Sequence, residues 1–593
     1  MSVDPRIEYQ SRLSAWSRRA EAFEQSHLRM GNLRAFFLFG LLALAAVLCR
    51  SGGSWVAVLM ILLLGILLTG VWHIRIENTR SAARRGIRFY QSGLERMDGT
   101  WLGKGSPGTE FLDPHHPYAA DLDMFGVGSL FELVNAAHTQ IGRTTLAAWL
   151  LEPASLQEIV ARQEAIKELS PKVDFRERLG FLAAEAQAWI PTESLISWAR
   201  QPRSLNSNAV RAAAFSLPWL NLVLLIAGQW PWCLLILAVQ GALARLYKLR
   251  VQNVTRTVGV VQHDLKCLAD MFEYLEAENF NSEQLRRVDA GDQAGGLCAS
   301  EAIHRLATLY SWIASRGNPL IAVISGWFLL ETQVAFAVEA WRARFGMMVE
   351  PWLRHLGEIE ALSSLAGYAF EHPADPFPEI LPASAPAQIQ AEGLKHPLMV
   401  EARCVGNDVS LGPHCRLMVV SGSNMSGKST YLRTLGVNLA LALAGAPVRA
   451  RKFRMTHVRI GASIRTLDSI QEGTSRFYAE ITRLGQIVKL AGQGTLVFLL
   501  DEILGGTNSH DRRIGAGCVA RTLVERGALG LITTHDLALA QIAEEIQPPG
   551  ANYHFEDQIL NGKMSFDYRL RPGVVEKSNA LELMRLVGLD VTG

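Results

Sequence analysis

The sequence has few charged residues, and its cysteines form no motif. Asp, Glu, Lys and Arg make up only 19% of the 593 residues, the formal net charge is +2, and apolar residues reach 49%. This composition shows no basic tail or domain that would by itself indicate a nucleic-acid partner, but it does not exclude such a partner. The seven cysteines are scattered, without a CxxC pair or a cluster with histidine, which argues against a zinc or disulfide framework. The low charge directs attention to the apolar segments.

Two uncharged stretches near the N-terminus predict a transmembrane helical hairpin over residues 34–74, preceded by a polar arm over residues 1–33. Ala35–Cys49 and Ser51–Ile74 contain no Asp, Glu, Lys or Arg. The second stretch can cross a bilayer, whereas the first spans only about 22 Å and needs snorkelling or local thinning. Arginines lie on both sides of the hairpin, so both flanks are expected in the cytoplasm. A hairpin buried in a soluble protein is the alternative.

A second apolar stretch, residues 212–243, is interrupted by a turn that contains Trp230 and Trp232. Basic residues lie before and after it, at Arg211 and Arg245 among others. Tryptophans at a membrane interface and cations on both flanks fit a second re-entering hairpin. Each arm has only about 15 residues, however, so a buried or interfacial hairpin fits nearly as well. The sequence leaves these alternatives open.

The rest of the chain divides by its periodicity. Residues 75–119 are polar and predict a linker, and apolar residues at helical spacing predict an all-α domain over residues 120–372. Proline-rich residues 373–386 form the clearest linker. Over residues 387–593, short apolar runs alternate with helical stretches, which is typical of a parallel sheet covered by helices. The sequence therefore predicts a C-terminal α/β domain preceded by an all-α domain.

A glycine-rich segment follows the first buried strand predicted in the α/β domain. Leu417–Ser421 predicts the strand, and the next eight residues, GSNMSGKS, match the pattern GxxxxGK[ST]. In this pattern Lys428 reaches the β- and γ-phosphates, Ser429 binds Mg²⁺, and a helix from Thr430 points its N-terminus at the anion. A glycine-rich turn without a ligand is the alternative, but the flanking strand and helix favour a nucleotide site. The predicted nucleotide-binding residues are Gly422, Ser423, Asn424, Met425, Ser426, Gly427, Lys428, Ser429 and Thr430.

Two further predicted strands end in residues suited to ATP hydrolysis. Asp501 and Glu502 follow the first, and His535 closely follows the second; the strands are Thr495–Leu500 and Leu529–Thr533. A carboxylate in this place suits Mg²⁺, and the adjacent Glu502 suits polarising the attacking water. His535 could touch the γ-phosphate, although a lone histidine is more often structural. We therefore predict a Mg²⁺-dependent ATPase with Glu502 and His535 as catalytic residues and Ser429 and Asp501 as metal ligands.

These motifs resemble those of the MutS family. GSNMSGKSTYLR at 422–433 is similar to the family's GPNMGGKSTYLR, and DEILGGTNSHD at 501–511 to its DELGRGTSTxDG. DSIQEGTSRFYAE at 468–480 resembles DDLxxGxSTFMVE, the signature segment that reaches the ATP of the opposite subunit. The resemblance implies an ABC-type P-loop ATPase that works as a homodimer. It also implies that Gly473 and Ser475 complete the partner's site in trans.

Upstream, segments around residues 129–163 and 360–366 resemble the family's helical core and lever, so residues 120–372 are expected to form that domain. The departures concern DNA. The chain before the core is too short for the family's mismatch-reading domain, and residues 212–243 lie where the helical region would extend towards a DNA clamp. Cys404 stands where the family often has an aromatic residue that stacks on adenine. DNA binding is therefore expected to be weak, salt-dependent and indifferent to a mismatch.

Together these features predict a membrane-anchored, ATP-driven dimeric switch of the MutS type. The expected location is the cell inner membrane, as a multi-pass protein with a cytoplasmic ATPase domain. ATP and Mg²⁺ are the expected cofactors, and a second copy, the membrane and DNA are the expected partners. The alternative is an ABC-type membrane ATPase coupled to transport or to a membrane partner, without a DNA function. The intact Lys428, Glu502 and His535 disfavour a non-enzymatic scaffold.

Overall fold

The computed structural model describes residues 4–22, 37, 39–40, 43, 55–185, 192–205, 207–256, 262–290, 297–314, 324–423, 425–464, 476–560 and 563–575. The chain divides into two compact units, residues 1–104 and 105–593. Most of the first part of the predicted N-terminal hairpin, residues 34–54, lies outside the described residues, as do Asn424, Gly473 and Ser475.

The first unit contains a helix over residues 5–22 and the long helix Trp55–Asp98. The two helices meet at Tyr9 and Tyr90, whose buried rings lie edge to face with centroids 5.5 Å apart. Such a contact contributes about 0.5–1.5 kcal/mol beyond area burial. The long helix includes residues 55–74 of the predicted hairpin and continues through residues 75–98, for which the sequence predicts a linker.

The second unit begins with a helical region. Its helices are Leu130–Val134, Gln140–Leu151, Leu156–Leu169, Val173–Glu185, Thr192–Ala199, Asn208–Ile226, Trp230–Arg256, Gln262–Glu276, Glu283–Ala290, Ala299–Ala314, Leu330–Phe345 and Val349–Glu371, with short 3-10 turns at Thr109–Phe111 and Gly346–Met348. Side-chain caps fix several starts: Ser129, Thr139 and Ser155 each accept a hydrogen bond from the backbone N–H three residues later. This satisfies amides that the first turn leaves without partners.

The two upstream segments that resemble the family's core and lever meet inside this region. The buried Glu360 carboxylate accepts hydrogen bonds from the backbone N–H groups of His138 at 3.1 Å and Thr139 at 3.2 Å, and from the Thr139 hydroxyl. Burial raises the pKa of Glu360, and these hydrogen bonds oppose the rise. Gly142 permits the close approach, because a Cβ there would lie 2.5 Å from Glu360 Oε2.

The second apolar stretch forms an antiparallel helical hairpin of Asn208–Ile226 and Trp230–Arg256, joined by a short turn. By length and composition, Asn208–Ile226 and Trp230–Thr255 could each cross a membrane, and only 17% and 11% of their most apolar windows are buried. Both helices are longer than the arms that the sequence indicates, because each continues past the flanking basic residues.

The C-terminal region is a mixed α/β domain, as predicted. Its strands are β1 (Glu379–Ile380), β2 (Ile389–Leu394), β3 (Asn407–Leu411), β4 (Leu417–Ser421), β5 (Lys452–Met455), β6 (Arg459–Ser463), β7 (Leu496–Asp501), β8 (Leu529–Thr534), β9 (Ala551–Leu560) and β10 (Lys563–Pro572). They form a four-stranded sheet in the order β1-β5-β2-β3 and a six-stranded sheet in the order β10-β9-β4-β8-β7-β6. Strand β1 lies within the residues predicted as the proline-rich linker.

In the six-stranded sheet, β9, β4, β8, β7 and β6 run parallel, and β10 is an antiparallel edge strand. Every residue of β4 and β8 is buried, and so is every residue of β7 except Asp501. Continuous apolar strands of this kind belong to sheets covered on both faces. The helices of the domain are Lys428–Ala444, Arg476–Leu490, Ser509–Glu525, Leu537–Ala540 and Ile542–Glu545, with a 3-10 turn at Glu401–Arg403.

Candidate functional site

The order and register of the central strands bring three sequence motifs to one edge of the sheet. Strand β8 lies between β4 and β7. Ser421 at the end of β4 pairs with Thr534 of β8, and Asp501 at the end of β7 pairs with Thr533. The glycine-rich loop, the acidic pair and His535 therefore leave the sheet side by side. Ligands of open α/β sheets bind at such carboxyl edges.

The glycine-rich loop has the backbone conformation that its glycines permit. Gly422 and Gly427 have φ values of 148° and 100°, a region that strains other residues. A Cβ at Gly422 would lie 2.7 Å from Ser426 Oγ and 3.1 Å from Phe555 O. The following helix begins at Lys428, two residues before the predicted start. The N–H groups of its first turn are thus available to an anion.

Lys428 lies inside the loop, with only 2% of its side chain exposed. Its Nζ donates hydrogen bonds to the carbonyls of Gly422 at 2.8 Å and Ser423 at 2.9 Å. Ser426 closes the turn, since its hydroxyl donates to Ser423 O at 2.7 Å. The ammonium is therefore held at the centre of the loop, where a phosphate would meet a positive charge.

Glu502 links the glycine-rich loop to the histidine beyond β8. Its Oε1 lies 3.3 Å from Lys428 Nζ and 3.4 Å from His535 Nδ1. Its backbone N–H is held by Thr533, through the carbonyl and the hydroxyl oxygen, both at 3.2 Å. The structure thus brings together both residues predicted to be catalytic and the lysine predicted to bind phosphate.

The predicted metal ligands lie on adjoining elements. Asp501 ends β7 and accepts a hydrogen bond from the Thr533 hydroxyl, while the half-buried Ser429 lies in the first turn of the helix after the loop. Among the described residues, no group of three or more His, Cys, Asp or Glu side chains could hold a metal ion. Mg²⁺ in nucleotide sites needs no such group, because one or two protein ligands, phosphate oxygens and water complete its shell.

The loop shows signs that it suits a phosphate. The Ser423 hydroxyl is buried and has no hydrogen-bond partner within the described part of the chain. A buried hydroxyl without a partner is costly unless a ligand or water satisfies it. Met425 is 72% exposed at the tip of the loop, and Thr430 is exposed one turn into the site's helix. The Ser423 hydroxyl therefore indicates that the interior of the loop binds a ligand, whereas Met425 faces outwards.

The loop after Glu502, residues 503–507, is clamped from two helices. The carboxylate of Glu480 accepts a hydrogen bond from Leu504 N–H. From the other side the Arg512 guanidinium donates to the carbonyls of Leu504 at 3.2 Å, Gly505 at 3.2 Å and Thr507 at 3.3 Å. Sequence reasoning missed the positioning role of both side chains. Glu480 ends the segment that resembles the family's signature, and Arg512 directly follows the segment 501–511. Neither pattern indicates a contact with this loop, and only the folded structure brings both side chains to it.

The residues on either side of the predicted signature segment are anchored to the helical region. Asp121 accepts hydrogen bonds from Ile464 N–H and from the Arg483 guanidinium, both at 2.7 Å. Ile464 precedes residues 465–475, and Arg483 lies in the helix that follows them. Gly473 and Ser475 themselves lie outside the described residues, so their role in trans stays a prediction.

An aromatic residue from the edge hairpin lies beside the glycine-rich loop. Tyr568 of β10 is 43% exposed, and its Cδ1 would be 3.1 Å from a Cβ on Gly427. Asn407 holds the backbone there, because it donates to Tyr568 O at 2.9 Å and accepts from Leu570 N–H at 2.8 Å. Tyr568 interrupts the register of β10 and has a φ of 53°, a local feature that no sequence periodicity indicates. Cys404 instead accepts a hydrogen bond from His396 N–H.

A parallel sheet, a glycine-rich loop between β4 and its helix, and acidic residues at the end of β7 together make up a mixed α/β domain. Residues 418–591 match the MutS domain V family. This C-terminal part of the chain is therefore similar to domain V of the MutS family.

Curated relatives agree with this assignment. The chain is 32% identical over 249 residues to the DNA mismatch repair protein MutS of Natronomonas pharaonis, a match that covers 41% of this chain and 28% of the relative. It is 34% identical over 244 residues to DNA mismatch repair protein MutS 2 of Halobacterium salinarum, covering 40% of this chain and 27% of the relative. The chain thus matches less than a third of the length of these proteins.

Proposed function

We propose that the chain is an ABC-type P-loop ATPase that binds and hydrolyses ATP with Mg²⁺ and acts as a dimeric, membrane-anchored switch. One observation carries this proposal: the Glu502 carboxylate lies within 3.4 Å of both Lys428 Nζ and His535 Nδ1. These three groups come from three different segments, which meet only because β4, β8 and β7 end side by side. Phosphoryl transfer needs such a positioned set of charges more than it needs covalent chemistry.

In this reaction the loop backbone and Lys428 bind the β- and γ-phosphates and offset their charge. Ser429 and Asp501 would hold Mg²⁺, which when bound would supply further neutralisation of the phosphate charge. Glu502 orients and polarises the attacking water, and His535 contacts the γ-phosphate from the end of β8. Tyr568, exposed next to Gly427, is the side chain placed to stack on the base.

The signature segment, residues 468–480, is the basis for proposing a dimer. Gly473 and Ser475 would complete the ATP site of the partner subunit, so that ATP holds two ATPase domains together. The anchoring of Ile464 and Arg483 by Asp121 supports this proposal. A segment whose flanks are fixed to the helical region can transmit the binding of ATP to that region.

The location is proposed from the uncharged segments and their basic flanks: a multi-pass protein of the cell inner membrane with its ATPase domain in the cytoplasm. A DNA-associated role is proposed from the similarity of the chain to DNA mismatch repair proteins. Coupling to transport or to a membrane partner is the second candidate, and the exposed apolar helices at residues 208–256 favour it. If a panel of DNA structures stimulates ATP hydrolysis, the result supports the DNA-associated role. If ATP hydrolysis is stimulated only in lipid vesicles, the result supports coupling to transport or to a membrane partner.

The ATPase itself is tested by Glu502→Gln. Because positioning and general-base groups contribute about 10²–10⁴ in rate, this variant should turn over at least ~100-fold more slowly while still binding ATP. Lys428→Ala should lose ATP affinity as well. Glu545→Gln, on an exposed carboxylate of the helix Ile542–Glu545, is the matched control. Phosphate release and binding of a fluorescent ATP analogue give the two readouts, and unchanged turnover in Glu502→Gln would remove Glu502 from the mechanism.

A further inference from the structure

The hairpin Asn208–Arg256 buries two uncharged amide side chains and exposes many large apolar ones. Asn221 and Gln240 are 0% and 2% exposed. Large apolar residues are instead at least 45% exposed on both helices: Phe215, Trp219, Leu220, Val223, Ile226, Leu234, Leu235 and Val239. Proteins in water show the opposite distribution. Within a bilayer, polar side chains face other helices and apolar ones face lipid.

We propose that this hairpin is embedded in the lipid bilayer. The helix Asn208–Ile226 has 19 residues, or about 28 Å at 1.5 Å per residue, close to the ~30 Å hydrocarbon core. Next to the turn, the second helix begins with Trp230 and Trp232, which are 64% and 59% exposed. The opposite end carries exposed Arg211 and Arg245. Cations at one end and tryptophans at the other match the two interfaces of a membrane.

The exposed apolar surfaces of the two helices point in directions that favour contact with lipid over contact with a protein partner. Cys233 Sγ lies 3.8 Å from Asn221 O, so the buried stripes of the two helices face each other near the turn. At 3.6 residues per turn, Val223 and Leu235 lie on the sides opposite those stripes. The apolar surfaces therefore point away from each other. One protein surface or a second copy would cover one of them, whereas lipid surrounds both.

The first helix of the hairpin contacts the helical region at Ala214 and Trp219. Gln333 Nε2 donates to Ala214 O at 3.2 Å, and the rings of Trp219 and Phe328 lie edge to face with centroids 5.5 Å apart. Gln333 belongs to the helix Leu330–Phe345, and the next long helix, Val349–Glu371, packs on Gln140–Leu151, which in turn packs on the helix after the phosphate loop. Through these contacts, the hairpin connects the helical region to the lipid bilayer. Only the link to ATP binding rests on the proposed function.

Site-specific fluorescence quenching tests the lipid contact. In the full chain with its native cysteines replaced, Val223→Cys and Leu235→Cys each carry an NBD probe. Gln390→Cys, on the exposed side of β2, is the matched control. The proteins are reconstituted in phosphatidylcholine–phosphatidylglycerol vesicles. Nitroxide groups on the lipid acyl chains should quench the probes at 223 and 235 but not at 390, and aqueous iodide should quench only the probe at 390.

Two results would overturn the proposal. Iodide quenching at 223 and 235 as strong as at 390 would place the hairpin in water. Protection from iodide without quenching by nitroxide lipid would mean that a protein surface covers it. ATP hydrolysis is measured in the same vesicles, so an inactive chain with lipid-quenched probes would contradict the proposed ATPase and leave the membrane assignment standing.

Photo-crosslinking gives a readout on the unaltered chain, without cysteine replacement. A diazirine-bearing phospholipid should form adducts that peptide mass spectrometry locates within residues 215–239. Adducts within residues 34–74 alone would show that the chain is in the membrane while this hairpin is not, and would also overturn the proposal.

Discussion

Replacing Arg512 with alanine should slow ATP turnover about 10- to 100-fold and leave ATP affinity close to that of the parent chain. Within the described residues, the hydrogen bonds of the Arg512 side chain go to the loop after Glu502 and not to the glycine-rich loop. Its guanidinium binds three carbonyls of the loop that follows Glu502. Loss of these bonds should therefore disturb the placement of Glu502 in the reaction and spare the groups that bind phosphate.

The magnitude follows from the strain in that loop. Glu502 and Leu504 have φ values of 44° and 59°, conformations that cost a non-glycine residue about 1–3 kcal/mol each and persist only when their surroundings hold them. Hydrogen bonds to a charged group contribute about 1.5–3 kcal/mol. Because Arg512 is only half-buried, we assign ~1.5–3 kcal/mol to all three bonds together. If that free energy is lost in the transition state, at about 1.36 kcal/mol per tenfold, the rate falls by the stated range.

Arg513→Ala is the matched control. Arg513 is the next residue, is exposed, and donates to Gln541 Oε1 at 2.8 Å instead of to the loop. Arg512→Lys should recover only part of the rate, since lysine keeps the charge but not the planar fork of donors. Steady-state phosphate release measures kcat and KM, and equilibrium binding of a fluorescent ATP analogue measures affinity. Equal turnover in Arg512→Ala and Arg513→Ala, or a defect due to ATP affinity alone, would refute the reasoning.

Three further outcomes are expected. Mixed Lys428→Ala and Ser475→Ala chains should regain activity that neither shows alone, because each heterodimer contains one intact composite site; inactive mixtures in which heterodimers form would rule out action in trans. Tyr568→Ala should weaken ATP binding about tenfold or more, since base stacking on an aromatic ring contributes about 1–3 kcal/mol, and Tyr568→Phe should not; equal affinity in both variants would exclude stacking. Burial, aided by Arg433 and Arg449, lowers the pKa of His396 from 6.5 to about 4, so the unfolded chain binds more protons between these values and stability falls as the pH drops from 6.5 towards 4. Thermal unfolding of the parent chain and His396→Gln should show a smaller loss on acidification in the variant; identical pH profiles would contradict this.

The strands that carry the site were predictable because their signal is local. Residues 417–421 form β4 as predicted, whereas β7 differs from its predicted run by one residue at each end and β8 by one residue at its C-terminal end. Continuous apolar residues that stop at a polar group specify a buried strand and its end. The motifs at these strand ends match the family pattern, and that match predicts Lys428, Glu502 and His535 as site residues.

Contacts between distant residues and the lengths of the hairpin helices were not predictable in the same way. Glu480 binds Leu504 across 24 residues of sequence, and this contact exists only once the helix Arg476–Leu490 packs beside the loop. In the second hairpin, Arg211 and Arg245 limit the apolar run but not the helix, because arginine has high helix propensity. Charge therefore indicates where an apolar surface ends and says little about where the helix ends.

Three departures from the family pattern DELGRGTSTxDG meet in the loop beside Glu502. Leu504 and Arg512 stand where the pattern has glycine, and Gly505 stands where it has arginine. A positive φ suits glycine at the first position, and Leu504 retains that conformation because Glu480 binds its N–H and Arg512 its carbonyl. Arg512, on the neighbouring helix, also donates a hydrogen bond to the carbonyl of Gly505. The backbone next to Glu502 is therefore fixed by Glu480 and Arg512.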